Sequence, residues 1–338
     1  MRLFFRVPTV SALLAAVAMT LVLVGCGGAA AKETITVYSG RSKELVEPII
    51  QQFQDATNIE VKVRYGGTSE LAATILEEGK NTPADVFWAQ DPAGLGAVSP
   101  RLTRLPDSLL SQADPRFRSS EGRWVGISGR ARVVVYNTQR VKEQDLPTDI
   151  SGFTDSSWKG RIGWAPTNGS FQAMVTAMRK QWGEEKTRQW LLGIKANEPK
   201  AYRDNTSIVN AVGTGEIDVG FPNHYYLFRF LQEKGESFPA RNYYLQSGGP
   251  GGVILVAGAG VLETSKHKDA AQRFVQFLLS PVAQQYFASQ TFEYPVVEGV
   301  RTHRLLKPLS DIQSPSIDLS DMTDLEGTLK LLRDVGVL

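Results

Sequence analysis

A single cysteine, three histidines and five methionines are all that 338 residues supply of the softer metal ligands. One cysteine excludes an intrachain disulfide and a zinc site built on cysteine pairs. The histidines, His224, His267 and His303, are scattered, and the last two lie in charged segments. An excess of either charge is also lacking. Residues 1–25 hold Arg2, Arg6 and no acid, so removing them takes the 37 Lys and Arg down to 35, against 35 Asp and Glu. A nucleic-acid-binding chain carries a basic excess or stripe, and neither is present. No Ser/His/Asp order, cysteine pair or phosphate-loop pattern occurs, which argues against an enzyme. Internal repeats of fixed period are absent.

Long apolar runs are limited to one, Val10 to Val24, broken only by Ser11 and Thr20 and preceded by two arginines. That layout predicts a secretory signal over 1–25. It ends in Leu23-Val24-Gly25-Cys26, a bacterial lipobox pattern in which Cys26 carries lipid and starts the mature chain, with 26–33 as a small-residue linker. Lipidation also accounts for a lone thiol in an exported protein. A chain attached this way is held at a membrane by its lipid, and the fold itself stays outside the bilayer.

Beyond the linker, strand and helix patterns alternate. Thr34–Tyr38, Ile59–Val63 and Ala84–Trp88 read as strands. Leu45, Val46, Ile49, Ile50 and Phe53 fall at helical spacing, with Pro48 predicting a kink or late start. Ser69 is the expected N-cap of a helix ending at Gly79. After an irregular, proline-marked stretch, Val125–Ile127 and Val133–Tyr136 bracket Ser128–Arg132, the expected crossover to a second α/β set. That set contains Arg161–Trp164, the turn Pro166–Ser170 into a helix at Phe171–Trp182, and a strand at Ile217–Phe221. Gly248–Gly252 reads as a flexible loop, and helices are expected at Lys266–Leu279, Val282–Ser289 and Thr323–Val335. The prediction is an α/β, two-lobed receptor: one lobe of 33–130 plus 256–298, the other of 131–255 plus 299–338, with a ligand cleft between them.

The expected 217–221 strand delivers Asn223-His224-Tyr225-Tyr226 into a helix. Phenolate oxygen is a hard, anionic donor suited to Fe3+. Tyrosine ordinarily loses its proton near pH ~10, and a bound cation removes it at neutral pH. Within a helix adjacent side chains diverge by ~100°, whereas at a first turn both rings can meet one point. Simple aromatic packing with Phe228 and Phe230 accounts for the pair as well, as it does for Tyr243-Tyr244.

Six motifs in register carry a resemblance: Ile35–Arg41, Pro83–Phe87, Ser128–Tyr136, Trp158–Gly163, Gly215–Asp218 and Asn223–Tyr226. Together they resemble the bacterial ferric iron-binding proteins, substrate-binding components of iron ABC transporters with a type II periplasmic binding protein fold. The resemblance implies Fe3+ as ligand, Tyr225 and Tyr226 as phenolate ligands, and a synergistic carbonate, phosphate or similar anion. Arg130, Asn168, Gly169, Ser170, Asn205 and Asn223 match the anion contacts, and an ABC permease is the implied partner. Ser42 and Gln90 stand where members of the family place a histidine and a glutamate, so the first lobe offers no evident ligand. That departure keeps open a receptor of the same class for a phosphonate, an organic phosphate or a ferric-citrate-type chelate.

Overall fold

Strand β1 (Thr34–Ser39) alternates as its sequence dictates, burying Ile35 and Val37, and pairs in parallel with β2 (Glu60–Tyr65) and β3 (Val86–Ala89). Helix α1 (Lys43–Thr57) covers it with Leu45, Val46, Ile49, Ile50 and Phe53. The late start that Pro48 allowed does not occur: α1 begins at Lys43 and runs through the proline. Pro48 and Glu44 are both exposed, so the carbonyl that loses its donor can turn to water. Helix α2 (Thr68–Glu78) is capped at Gly67 rather than Ser69. The Ser69 hydroxyl instead donates to Gln172 Oε1 at 3.0 Å, and Glu70 accepts the Gly67 N–H. Helix α3 (Pro92–Val98) follows β3.

The computed structural model describes Met1 and residues 32–338; the rest of the predicted leader and Cys26 lie outside the described residues. Strand β4 (Val125–Ala131) stays in the first sheet through Ser128–Ala131, so the crossover is shorter than the sequence suggested. Only Arg132 and Val133 separate it from β5 (Val134–Asn137), which belongs to a second sheet. There β6 (Ile162–Trp164) precedes α4 (Gly169–Trp182) and α5 (Glu184–Ala196). Then come β7 (Lys200–Ala201), α6 (Asn205–Gly213), β8 (Val219–Gly220), α7 (Tyr225–Lys234) and β9 (Ala240–Tyr243). The strand expected at 217–221 is two residues long, because the Glu216 and Ile217 N–H groups are turned to the Ala211 carbonyl at the end of α6. Gly248–Gly252 is not a free loop: Pro250–Gly252 forms a buried 3-10 turn, and a Cβ on Gly251 would stand 2.5 Å from Ile150.

The chain returns to the first sheet in β10 (Ile254–Val261), then forms α8 (Lys268–Leu278), α9 (Pro281–Gln290), β11 (Tyr294–Pro295) and α10 (Leu325–Asp334). Sheet orders are β11-β4-β10-β3-β1-β2 and β7-β6-β8-β5-β9. Among the described residues no helix is long and apolar enough to cross a membrane. The turns after β1, β3, β6 and β8 all leave the carboxyl ends of their strands. Open α/β sheets gather ligands there.

Candidate metal and anion centre

At the end of β8, His224 occupies the N-cap of α7 in a helical conformation, so Tyr225 and Tyr226 fall on the first turn. Their rings lie side by side, centroids 4.2 Å apart and 28° from parallel. Both are buried, and the Tyr225 hydroxyl has no hydrogen-bond partner. Burial, and next the neighbouring Tyr225 hydroxyl, push the Tyr226 phenol well above its ordinary value. Proton removal here therefore needs a strong nearby cation.

His224 is a structural peg. Its Nδ1 accepts the Ala131 N–H at 3.1 Å, and its Nε2 meets the Phe292 carbonyl at 2.8 Å, where it must donate. Burial pushes its pKa down to about 3, so the ring is neutral with both nitrogens engaged. It ties the end of β4 to the start of α7 and stacks on Tyr294 at 4.8 Å. Tyr38 and Tyr136 are likewise spoken for, by Glu78 and Glu143. Ser42 is the exposed N-cap of α1 and makes no side-chain cap to it.

The anion-site residues expected from the sequence come together at the start of α4. Asn168 caps the helix by accepting the Ser170 N–H at 3.0 Å, and it also accepts from Asn205 Nδ2 at 3.3 Å. The Asn205 carbonyl oxygen is buried and unpaired. Ser170 Oγ receives Gln90 Nε2 at 2.8 Å, Asn223 Nδ2 at 3.1 Å and Arg130 Nη1 at 3.2 Å. A hydroxyl has two lone pairs, so three donors crowd one weak acceptor. Gly169 sits where a Cβ would stand 2.7 Å from Asp91 Oδ2. Glycine is the residue that admits this approach. Gln90 and Ser69 therefore join the first half of the molecule to α4 in the second.

Three residues here, Arg41, Arg130 and Arg132, are 2 %, 0 % and 1 % exposed. Arg41 donates Nη2 to Glu293 Oε1 at 2.5 Å, leaving Nε and Nη1 unpaired. Arg130 keeps Nε and Nη2 unpaired. Arg132 donates to Asn223 Oδ1 at 3.1 Å and to the Phe221 carbonyl, leaving Nε unpaired. Burial and then the charge of Arg41 lower Arg130; burial and then Arg130 push Arg132 down to about 9. Against them stand Glu293 and Asp91. Asp91 caps α3 by accepting the Gly94 N–H at 3.1 Å with Oδ1, while Oδ2 is unpaired. Burial pushes its pKa up to about 6. The centre holds more buried donors and positive charge than its own acceptors satisfy, and it can take a multiply charged oxyanion.

Arg41, Arg132, Asp91 and Glu293 were not anticipated. Arg132 had a signal, since Arg130 and Arg132 interrupt an otherwise largely apolar run from Val125 to Tyr136, where charges need a purpose. Arg41 closes the Ile35–Arg41 motif and adjoins Ser42, where members of the family place a histidine. Glu293 has no local signal. Among the described residues no group of three His, Cys, Asp or Glu comes together as a metal site, so a metal here would rely on phenolates and exogenous oxygen.

Two α/β sheets whose strand ends converge on a buried cluster of polar and charged groups define a solute-binding receptor. The chain belongs to the family of bacterial extracellular solute-binding proteins, whose model matches residues 48–311, and it sits there among the ferric iron-binding proteins. The major ferric iron-binding protein of Neisseria meningitidis serogroup A is 35% identical over 308 residues, 90% of this chain and 93% of that protein. The Fe(3+)-binding periplasmic protein of Serratia marcescens is 33% identical over 318 residues, 93% and 94% of the two chains. Iron-bound HitA from Pseudomonas aeruginosa superposes with a TM-score of 0.86 at 37% identity, covering 90% of this chain and 99% of that one. The fold is that of a type II periplasmic binding protein, and the chain is a receptor rather than an enzyme.

Proposed function

We propose that this protein is an extracytoplasmic receptor that captures Fe3+ together with a small anion and passes it to an ABC permease. The observation that carries this reading is the stacked Tyr225–Tyr226 pair, one hydroxyl unpartnered, beside three buried guanidiniums. Charge accounting supports the anion. Three arginines against Glu293 and Asp91 leave one positive charge. Fe3+ with two phenolates adds a second. A dianion such as carbonate or hydrogen phosphate neutralises both, with oxygens bound to iron on one side and to Arg130, Asn223 and the start of α4 on the other. Anion and water oxygens fill the remaining positions of about six.

The lobes of this reading are 33–130 plus 256–298 and 131–255 plus 299–338, hinging at Arg132–Val133 and near Val253. Closure brings Gln90 and Ser69 onto α4, and the permease reads the closed shape. A lipid on Cys26 holds the receptor, a monomer, at the membrane surface. The test is the Tyr225→Phe, Tyr226→Phe double variant, assayed for ferric affinity by competition with a chelator. Loss of at least a thousandfold, about 4 kcal/mol, is expected; undiminished affinity would refute phenolate ligation. One feature favours a second reading, a chelate or organic phosphate as ligand: the guanidiniums outnumber the phenols. In that case ferric citrate or a phosphate ester binds the double tyrosine variant as tightly as the parent.

A further inference from the structure

At the opposite end of β1 from Arg41, a cavity of about 490 Å³ opens between the start of β1, the chain before β3 and the segment that enters α8. Lys62, Lys80, Lys266 and His267 line it. Among the described residues, lysines form ion pairs at Lys159, Lys200 and Lys330, and none of the three lysines lining the cavity has one. One carboxylate lies in the floor, Asp85, and both its oxygens are taken: Oδ2 accepts the Thr36 N–H at 2.8 Å and Oδ1 the Ser265 hydroxyl at 2.6 Å. The Thr264 hydroxyl in the wall is buried without a partner. His267 is the N-cap of α8 and gives that helix no side-chain cap, so its first N–H groups add positive potential to the same rim. Three ammonium groups and a helix start therefore surround one committed carboxylate.

We infer that this cavity is a second anion site, remote from the tyrosine centre, which takes a phosphate group. Inorganic phosphate and the phosphodiester of an anionic lipid share that chemistry. The second source has a reason to be close: Thr34 lines the cavity, and only seven residues separate it from Cys26. On the function proposed above, a lipid on that cysteine tethers the chain within seven residues of this end of the sheet. Each lysine near a headgroup layer contributes about fivefold to binding, so the three together contribute on the order of a hundredfold, and salt screens the effect.

The test titrates the full chain, in zwitterionic detergent, with inorganic phosphate and with dihexanoyl phosphatidylglycerol. The parent is compared with Lys62→Gln, Lys80→Gln, Lys266→Gln combined. All three lysines are exposed, so the variant folds, as its melting curve will show. The tyrosine centre is unchanged in both proteins and contributes the same phosphate binding to each. A phosphate event about a hundredfold weaker in the variant assigns the site to free phosphate. Phosphatidylglycerol binding that is tighter than phosphate and lost in the variant assigns it to lipid. Titrations of both ligands that are indifferent to the three substitutions overturn the proposal.

Discussion

Replacing Arg130 by alanine separates the anion's role from the metal's. The guanidinium is fully buried, makes one 3.2 Å contact to Ser170 Oγ, and has two further nitrogens, Nε and Nη2, without partners. Hydrogen bonds to charged groups contribute about 1.5–3 kcal/mol each. Two such bonds to a bound oxyanion are thus about 3–6 kcal/mol, or roughly two to four orders of magnitude in affinity. In the ligand-free protein the same side chain is a buried charge beside two others, and removing it leaves stability unchanged or slightly higher. Ferric affinity would be measured by chelator competition in carbonate, in phosphate and in a buffer free of both, with a thermal melt of the ligand-free protein alongside. The expected result is a fall of at least a hundredfold in carbonate or phosphate, a much smaller one without them, and no loss of melting temperature. An equal fall in all three buffers, or none, would refute the anion assignment.

Three further outcomes follow from the same geometry. Asp91 has its pKa raised to about 6 by burial, so the fold prefers it neutral; stability is lowered above pH 6 and recovers as pH falls toward 4. Asp91→Asn keeps the cap on α3 and should gain up to about 3 kcal/mol at pH 8 in urea unfolding, with the gain vanishing near pH 4; a gap independent of pH contradicts this. Gly169→Ala places a methyl 2.7 Å from Asp91 Oδ2, so ferric affinity should drop at least tenfold while urea stability shifts by less than about 0.5 kcal/mol. Small-angle scattering should show the loaded variant less closed than the parent, and normal closure would count against the contact. Glu293→Gln leaves the Arg41 charge buried without its partner and should cost about 3–5 kcal/mol, most of it recovered when Arg41→Met is added; additive losses in the double variant would mean the pair is not coupled.

Much of the fold was legible because its strands and helices bury one clear face each. The 35–37 alternation gave β1, and the Leu45–Phe53 spacing gave α1. Misses occurred where a single group outweighed the pattern. The Ala211 carbonyl drew off the Glu216 and Ile217 N–H groups and shortened β8, Gly67 displaced Ser69 as a cap, and Ile150 fixed a glycine run that looked free. At the centre, the tyrosine pair and the Asn168–Ser170 turn were readable because each is local in sequence. The Arg41–Glu293 pair spans 252 residues, so nothing near either partner announces the other. Arg132 was visible only as a charge in a stretch too apolar to hold one without purpose.

The central claim is that Tyr225 and Tyr226 hold ferric iron as phenolates. Its most direct test is the visible spectrum of the protein titrated with ferric salt in carbonate, phosphate or citrate. The account predicts a phenolate-to-iron charge-transfer band that saturates at one iron per chain, fades on acidification and is sharpest in the buffer that supplies the anion. A protein that stays colourless with iron, yet closes around a phosphate ester or phosphonate, would contradict it.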